Sequence, residues 1–133
     1  MKHKILLLSA NYYKDISREL CVDAYKTLKN HGNADYDEIT AIPGVFEIPV
    51  LISRNIEKYD GVIALGCVIK GKTPHFEFIS QATTDAIMKL SIDYKKPIGN
   101  GIITCLNKKQ AIVRSKTKGR EAAKAVLSVL KNF

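Results

Sequence analysis

The chain has 133 residues, which is enough to bury one hydrophobic core and too few for two ordinary domains. Apolar residues make up 46% and charged residues 26%, and no apolar run approaches the roughly 20 residues of a membrane-spanning helix. These values exclude a membrane-embedded protein and predict a single domain over residues 1–133 that works in the cytoplasm. The formal net charge of +8 suits an anionic ligand, whether nucleic acid, an acidic protein or a small anionic substrate.

Short apolar runs alternate with longer amphipathic stretches along the chain. Strands are predicted, in chain order, at residues 5–9, 36–42, 61–68 and 97–104. Helices are predicted at residues 16–30, 47–58, from 74 onward, 108–114 and 119–130. This alternation is typical of repeated βα units, so we expect a three-layer α/β/α fold around a four-stranded parallel sheet.

Local signals mark the ends and the buried faces of these helices. Gly32 follows the first helix and is a normal glycine stop. The third helix is expected to bury a face on which residues recur at spacings of three and four: Phe76, Ile79, Thr83, Ala86 and Leu90. The inward stripe of the last helix is predicted to be Ala122, Ala123, Val126, Leu127 and Leu130.

The segment Ile-Lys-Gly-Lys-Thr-Pro-His at residues 69–75 follows the third strand and opens the third helix. Amides at a helix start lack intrahelical partners and, with the helix dipole, favour an anion. Thr73 is predicted to cap the helix and Pro74 to take its first position. A unit charge at ~4 Å contributes about 4 kcal/mol in a partly screened site, so Lys70 and Lys72 should supply most of the attraction. With His75 as a proton carrier, the segment is a predicted phosphate site; a basic surface loop is the alternative interpretation.

Unusual residues also follow the other predicted strands. The triplet Asn-Tyr-Tyr at residues 11–13 follows the first strand, a proline-glycine turn with a carboxylate at 43–47 follows the second, and residues 104–107 follow the fourth. In a doubly wound sheet, ligands bind beyond the carboxyl ends of the strands. We therefore expect these residues to share one edge of the sheet with the phosphate motif.

The distribution of the cationic residues and of the cysteines disfavours two classes of ligand, nucleic acids and metal ions. Seven cations cluster near the end of the chain: Lys108, Lys109, Arg114, Lys116, Lys118, Arg120 and Lys124. No aromatic residue is interleaved with them, so nucleic-acid binding is not expected. Cys21, Cys67 and Cys105 form no CxxC pair and are predicted to be buried, reduced thiols without a metal.

Two longer motifs carry a family resemblance. Residues 43–49 read Pro-Gly-Val-Phe-Glu-Ile-Pro, and residues 65–76 read Leu-Gly-Cys-Val-Ile-Lys-Gly-Lys-Thr-Pro-His-Phe. Gln110-Ala111, Arg114, Lys118-Gly119 and Ala122-Ala123 follow in order. Together these segments resemble the lumazine synthase family over nearly the whole chain, which implies a flavodoxin-like fold.

The resemblance implies a transferase that acts at the penultimate step of riboflavin formation. Such an enzyme condenses 5-amino-6-(D-ribitylamino)uracil with 3,4-dihydroxy-2-butanone 4-phosphate to 6,7-dimethyl-8-ribityllumazine, with neither a metal nor an organic cofactor. Its implied partners are two small-molecule substrates and further copies of the chain, without nucleic acid or membrane. The substrate's own amine is the nucleophile, so the protein has to supply positioning and proton transfer.

Residue roles follow from the matched motif positions. His75 is the implied general acid/base, and Lys72, Thr73 and Arg114 are implied to bind the butanone phosphate. The implied ligands of ribitylaminouracil are Tyr12, Val45, Phe46, Glu47, Cys67, Val68, Ile69 and Asn100.

Tyr12 matches the family's aromatic that stacks on the pyrimidine, and Tyr13 is the alternative if the alignment shifts by one residue. Glu47 is implied to accept hydrogen bonds from the ribityl hydroxyls, and the backbone edge of residues 67–69 to read the pyrimidine. Asn100 stands where many family members carry phenylalanine, and the resemblance implies that a neighbouring subunit contributes it.

The resemblance also implies an oligomer with sites between subunits. The first predicted strand begins close to the start of the sequence, and the segment between Arg114 and Gly119 is about four residues shorter than is usual in the family. We therefore expect a homopentamer rather than a sixty-subunit capsid.

Two other functions use the same layered architecture. One is a riboflavin synthase of this fold found in some archaea, which consumes two lumazines. The other is a non-catalytic flavin- or lumazine-binding protein. The residues after the first strand disfavour a flavin carrier, because Tyr12 and Tyr13 stand where a Ser/Thr-rich phosphate-binding turn would be expected.

Overall fold

The computed structural model describes residues 2–132 and contains a four-stranded parallel sheet in the order β2-β1-β3-β4. The strands are β1 (His3–Ala10), β2 (Ala34–Ile42), β3 (Gly61–Ile69) and β4 (Ile98–Cys105). The helices are α1 (Lys14–His31), α2 (Ile48–Asn55), α3 (His75–Tyr94), α4 (Lys108–Ser115) and α5 (Lys118–Asn132). The predicted three-layer α/β/α fold is confirmed. No helix within residues 2–132 combines the length and the apolar character that crossing a membrane requires.

Alternating strand residues divide the core between the two faces of the sheet. Ile5 and Leu7 of β1 pack into a cluster beneath α1 and α5, whereas Leu6 and Leu8 pack into a second cluster beneath α2 and α3. We call the two sides the α1–α5 layer and the α2–α3 layer. The inward stripe predicted for α5 lies in the first cluster, with four of its members buried and Leu130 half-buried.

In the α1–α5 layer, α5 lies close to strand β4 and also close to α1. A Cβ atom at Gly99 of β4 would collide with the carbonyl of Ala122 in α5, and one at Gly119 would collide with the carbonyl of Leu20 in α1. Glycine at these two positions lets the backbones approach, because any side chain would have to push a helix away.

Helix ends match the sequence signals except in two places. Gly32 ends α1 with a positive φ of 76°, as predicted. The predicted cap of α3 is wrong by one residue, because the helix begins at His75 and Pro74, not Thr73, occupies the N-cap position. The continuous helix predicted at 47–58 is also wrong, since 3-10 turns at Val45–Glu47 and Ile56–Lys58 flank the shorter α2.

The α2–α3 layer leaves apolar surface uncovered. Thr83 is buried as predicted and the other four members of the predicted stripe are half-buried, while Ile87, which the prediction omitted, is 4% exposed. Phe78, Met88 and Ile92 on α3 are 69%, 60% and 65% exposed. This helix therefore carries an apolar strip that the single chain does not bury.

Candidate functional site

A cavity of about 520 Å³ lies beyond the carboxyl ends of β1 and β3. Its size is within the range of small-molecule sites, and its position is the one expected for ligands of an open parallel sheet. The residues that line it are Ala10, Tyr12, Tyr13, Gly44, Val45, Phe46, Glu47, Cys67, Val68, Ile69, His75 and Ile79.

A bulge in the sheet brings the segment after β2 towards the cavity. The pairing of β1 with β2 shifts register between Leu8 and Ala10, and Ala41 adopts a positive φ of 62° beside the shift. The Asn11 amide donates to the Ile42 carbonyl at 2.9 Å, which ties the two strand ends together. The turn that carries residues 44–47 consequently lines the same cavity as the end of β1.

The two tyrosines after β1 occupy different depths of the cavity. Tyr12 lies at the rim with 75% of its surface exposed, whereas Tyr13 is half-buried against the core of the α1–α5 layer. Their rings meet edge to face, with centroids 5.0 Å apart. Both rings line the cavity, so either can contact a planar ligand.

The turn after β2 contributes one buried and two exposed side chains to the cavity. Val45 is 6% exposed and fixes the turn to the core of the α2–α3 layer, while Phe46 is 61% exposed. Glu47 is also exposed, and within residues 2–132 its carboxylate makes no ion pair or side-chain hydrogen bond. An unpaired carboxylate at the cavity is available as an acceptor for hydroxyl groups of a ligand.

The end of strand β3 contributes its backbone and the thiol of Cys67 to the cavity. Cys67 is 7% exposed, and burial, followed by the nearby Cys105, raises the pKa of its thiol to about 12. Cys21, Cys67 and Cys105 are all free and buried, which confirms the prediction of buried thiols. Within the described part of the chain, no three side chains of the His, Cys, Asp or Glu type gather as metal ligands would.

The loop before α3 holds the cationic part of the site. His75 is exposed, lines the cavity and opens α3, and its backbone N–H lies 3.4 Å from the Thr73 hydroxyl oxygen, which accepts this hydrogen bond. The Lys70 ammonium lies 3.7 Å from Glu77, a partner that the sequence analysis did not anticipate. Lys72 makes no ion pair within residues 2–132, so it is the cation of this loop that remains available to an anion.

Four of the twelve residues named from the sequence do not line this cavity: Lys72, Thr73, Asn100 and Arg114. Lys72 and Thr73 lie three and two residues before His75. Arg114 lines a separate cleft beside β4, where its Nη1 donates to the Thr104 carbonyl at 2.8 Å. Asn100 is exposed on the edge strand β4, and its Oδ1 accepts from the Ile102 amide at 3.0 Å.

The cavity also contains residues that the sequence analysis did not assign, namely Ala10, Gly44 and Ile79. Gly44 stands within the quoted proline-glycine motif and Ile79 on the predicted inward face of α3, so both carried a usable signal. Lys108, which lies over the Tyr13 ring, carried none because α4 is remote from Tyr13 in sequence.

A family model of 6,7-dimethyl-8-ribityllumazine synthase matches residues 2–133. The chain belongs to this family. It is 42% identical to the 6,7-dimethyl-8-ribityllumazine synthase of Bartonella bacilliformis over 95% of this chain and 87% of that protein. It is 40% identical to 6,7-dimethyl-8-ribityllumazine synthase 1 of Rhodopseudomonas palustris, over 96% and 84% of the two chains.

The corresponding enzyme of Agrobacterium fabrum is 39% identical, with 97% of this chain and 93% of that protein covered. The resemblance to the lumazine synthase family that the sequence motifs indicated is thus confirmed, as is the classification as an enzyme.

Proposed function

We propose that this member of the lumazine synthase family condenses 5-amino-6-(D-ribitylamino)uracil with 3,4-dihydroxy-2-butanone 4-phosphate to 6,7-dimethyl-8-ribityllumazine, with release of phosphate and water. One observation carries the proposal. Eight of the residues that the family motifs assign to the uracil substrate or to proton transfer line a single cavity. Neither a riboflavin synthase nor a flavin carrier is favoured by any feature of that cavity.

The uracil substrate is proposed to bind between the end of β1 and the turn after β2. Tyr12 stacks on the pyrimidine, and the backbone of Cys67, Val68 and Ile69 pairs with its polar edge. Glu47, beside Val45 and Phe46, accepts hydrogen bonds from the ribityl hydroxyls. Support comes from the Glu47 carboxylate, which has no ion pair among the described residues, and from the exposed Tyr12 ring, both of which line the cavity.

The phosphate is proposed to bind at the loop before α3, held by Lys72 and by the amides around Thr73. His75 then transfers protons during imine formation, phosphate loss and ring closure. A phosphate beside the imidazole favours the protonated form of His75. Binding of the substrate therefore promotes protonation of the imidazole, which later donates this proton to the departing phosphate. The proximity of Lys72 and Thr73 in the loop to His75, the first residue of α3, supports this arrangement.

A second copy of the chain is proposed to complete the site with its Asn100 and Arg114. In one chain these residues lie outside the cavity, while Tyr12, Phe46 and His75 stand exposed at its mouth. The planar fork of arginine suits two phosphate oxygens at once. The uncovered apolar strip of α3 supports assembly, for which we propose a homopentamer.

We place the working enzyme in the cytoplasm. Cys21, Cys67 and Cys105 are free thiols, which suits a reducing compartment.

The direct test mixes both substrates with the purified protein and follows lumazine fluorescence together with free phosphate. Stoichiometric formation of lumazine and phosphate is expected. His75→Ala should lower kcat by roughly ten- to a hundredfold, at or below the low end for general acid–base catalysis, because the nucleophile belongs to the substrate. A folded wild-type protein that forms no lumazine would contradict the proposal, and consumption of lumazine alone would identify a riboflavin synthase.

A further inference from the structure

Tyr13 forms part of the cavity wall, and the family motifs give this residue no role of its own. Its ring is half-buried, lines the cavity and packs on the core cluster of the α1–α5 layer. Tyr12, by contrast, is 75% exposed at the rim. A ligand that enters past Tyr12 therefore meets Tyr13 at greater depth, where fewer water molecules compete for its polar groups.

A second helix holds this ring in place. The Lys108 ammonium at the start of α4 lies 5.3 Å from the centroid of the Tyr13 ring, within the range of a cation–π contact. The same ammonium lies 3.1 Å from Oδ1 of Asp15, in the first turn of α1. Lys108 thus bridges Tyr13, which stands directly before α1, and Asp15 in the first turn of that helix. The ring is therefore held by α4 as well as by its own position at the start of α1.

The phenol of Tyr13 stays neutral at the pH at which enzymes work. Burial raises its pKa above the ordinary value, the neighbouring Cys67 and Tyr12 raise it further, and Lys108 opposes them with a smaller effect. A neutral phenol can donate a hydrogen bond, unlike a carboxylate. Tyr13 and Cys67 line the same cavity, so the ring faces the space at the end of β3, where the pyrimidine edge is proposed to bind.

We propose that Tyr13, clamped by Lys108 and Asp15, is a specificity-determining residue of the pyrimidine site. Its ring forms part of the wall, and its hydroxyl donates a hydrogen bond to a carbonyl oxygen of the uracil substrate. This assignment rests on the proposed function of the cavity. It gives Tyr13 a role distinct from that of Tyr12, which stacks at the rim without needing a hydroxyl.

The decisive variant is Tyr13→Phe, which keeps the ring and removes the hydroxyl. The KM for ribitylaminouracil should rise roughly three- to tenfold, the loss expected for one hydrogen bond, with the KM for butanone phosphate and kcat each changing less than about twofold. Lys108→Met, which keeps an apolar stem and removes the charge, should raise the same KM by about twofold to threefold through a looser ring. Tyr94→Phe and Lys124→Met are the matched controls outside the site, and both should match the wild type.

Binding of 6,7-dimethyl-8-ribityllumazine, followed by its own fluorescence, separates this inference from the proposed function because it needs no turnover. Weaker binding by Tyr13→Phe with unchanged thermal stability supports the hydroxyl's role even if the wild type makes no lumazine. Unchanged lumazine binding and unchanged KM in Tyr13→Phe overturn the inference while leaving the enzyme assignment intact. Equal losses for both substrates also overturn it, because a general structural role would produce them.

Discussion

The two helical layers cover opposite faces of the same sheet, and they bury their apolar side chains to different degrees. On one side, α1 and α5 bury a stripe from each helix, and glycines at positions 99 and 119 allow close backbone contact. On the other side, α3 buries Thr83 and Ile87 and leaves Phe78, Met88 and Ile92 largely exposed. The α1–α5 layer therefore buries more of its apolar surface within the described residues than the α2–α3 layer does. Under the proposed assembly, another copy would cover the exposed strip of α3.

The cavity borders the α2–α3 layer, which leaves apolar side chains exposed. Val45 and Phe46 come from the 3-10 turn before α2, and His75 and Ile79 come from the first two turns of α3. A neighbour that covers the apolar strip of α3 would therefore stand close to the mouth of the cavity. Assembly and activity are expected to fail together when this layer is altered, and separately from stability when the other layer is altered.

The largest effect is expected from charges placed on the apolar strip. The double variant Phe78→Glu and Ile92→Lys should dissociate the oligomer and lower activity by about a hundredfold or more, because a site without its neighbour loses positioned groups. Sedimentation velocity and lumazine formation measure the two effects on the same samples. Val129→Lys is the matched control, since Val129 is an apolar residue on α5 that is 43% exposed.

In this control, assembly and activity should be unchanged. A fully active monomer carrying the Phe78 and Ile92 substitutions would contradict the role assigned to the α2–α3 layer.

A large effect is also expected from mixing two defective subunits. His75→Ala and Arg114→Ala should each lower activity strongly on their own, because one loses the proton carrier and the other the phosphate clamp. If neighbouring copies share a site, unfolding and refolding an equal mixture should restore about a quarter of the sites by random assembly. Recovery of lumazine formation is the measurement.

A mixture that stays as inactive as its components would mean that Arg114 acts within its own chain or not at all. Refolding each variant alone is the control for this experiment.

A moderate effect on stability distinguishes the two layers directly. Leu20→Ala in α1 removes a side chain that is fully buried and should lower the free energy of unfolding by about 2–5 kcal/mol. Leu90→Ala in α3 removes a half-buried side chain and should cost less. Chemical unfolding at one fixed protein concentration measures both, because stability of an oligomer depends on concentration.

Equal losses for the two variants would show that the α2–α3 layer supports the chain as much as the α1–α5 layer does.

The smallest effect concerns the ion pair that joins α1 to α4. The hydrogen bond from Lys108 is the main reason that the pKa of Asp15 lies below its ordinary value of 3.8. The favourable contribution of this pair is therefore complete above that value and is lost as the pH falls through the lower, folded-state pKa. In Lys108→Met the pKa of Asp15, followed by carbon NMR of its carboxyl group, should move back towards 3.8.

An unchanged Asp15 titration in Lys108→Met would contradict the clamp described for Tyr13. Lys124→Met again serves as the control.

Much of the architecture was predictable because it depends on local signals. The order of strands and helices follows from apolar periodicity, and Gly32 ends α1 because only a residue that tolerates positive φ fits there. The motifs at 43–49 and 65–76 were expected at one edge because parallel strands all end on the same side. Seven of the nine site residues named from these two motifs line one cavity, together with Tyr12 from the end of β1.

The exact ends of the helices, individual side-chain pairs and the packing between distant segments could not be predicted in this way. Small adjustments that local propensity does not resolve determine the start of α3 at His75, the 3-10 turns around α2 and the ion pair of Lys70 with Glu77. The position of Lys108 over Tyr13 depends on where α4 docks against α1.

The sequence by itself therefore determined the elements, their order and the edge of the sheet that carries the cavity, since these follow from contacts between residues near one another along the chain. Only the tertiary structure decided which tyrosine lies deeper in the cavity and which apolar face stays exposed. It also decided which cation beside His75 makes no ion pair within residues 2–132. These properties arise when helices from separate parts of the chain meet on the sheet, and the burial of each side chain is set there.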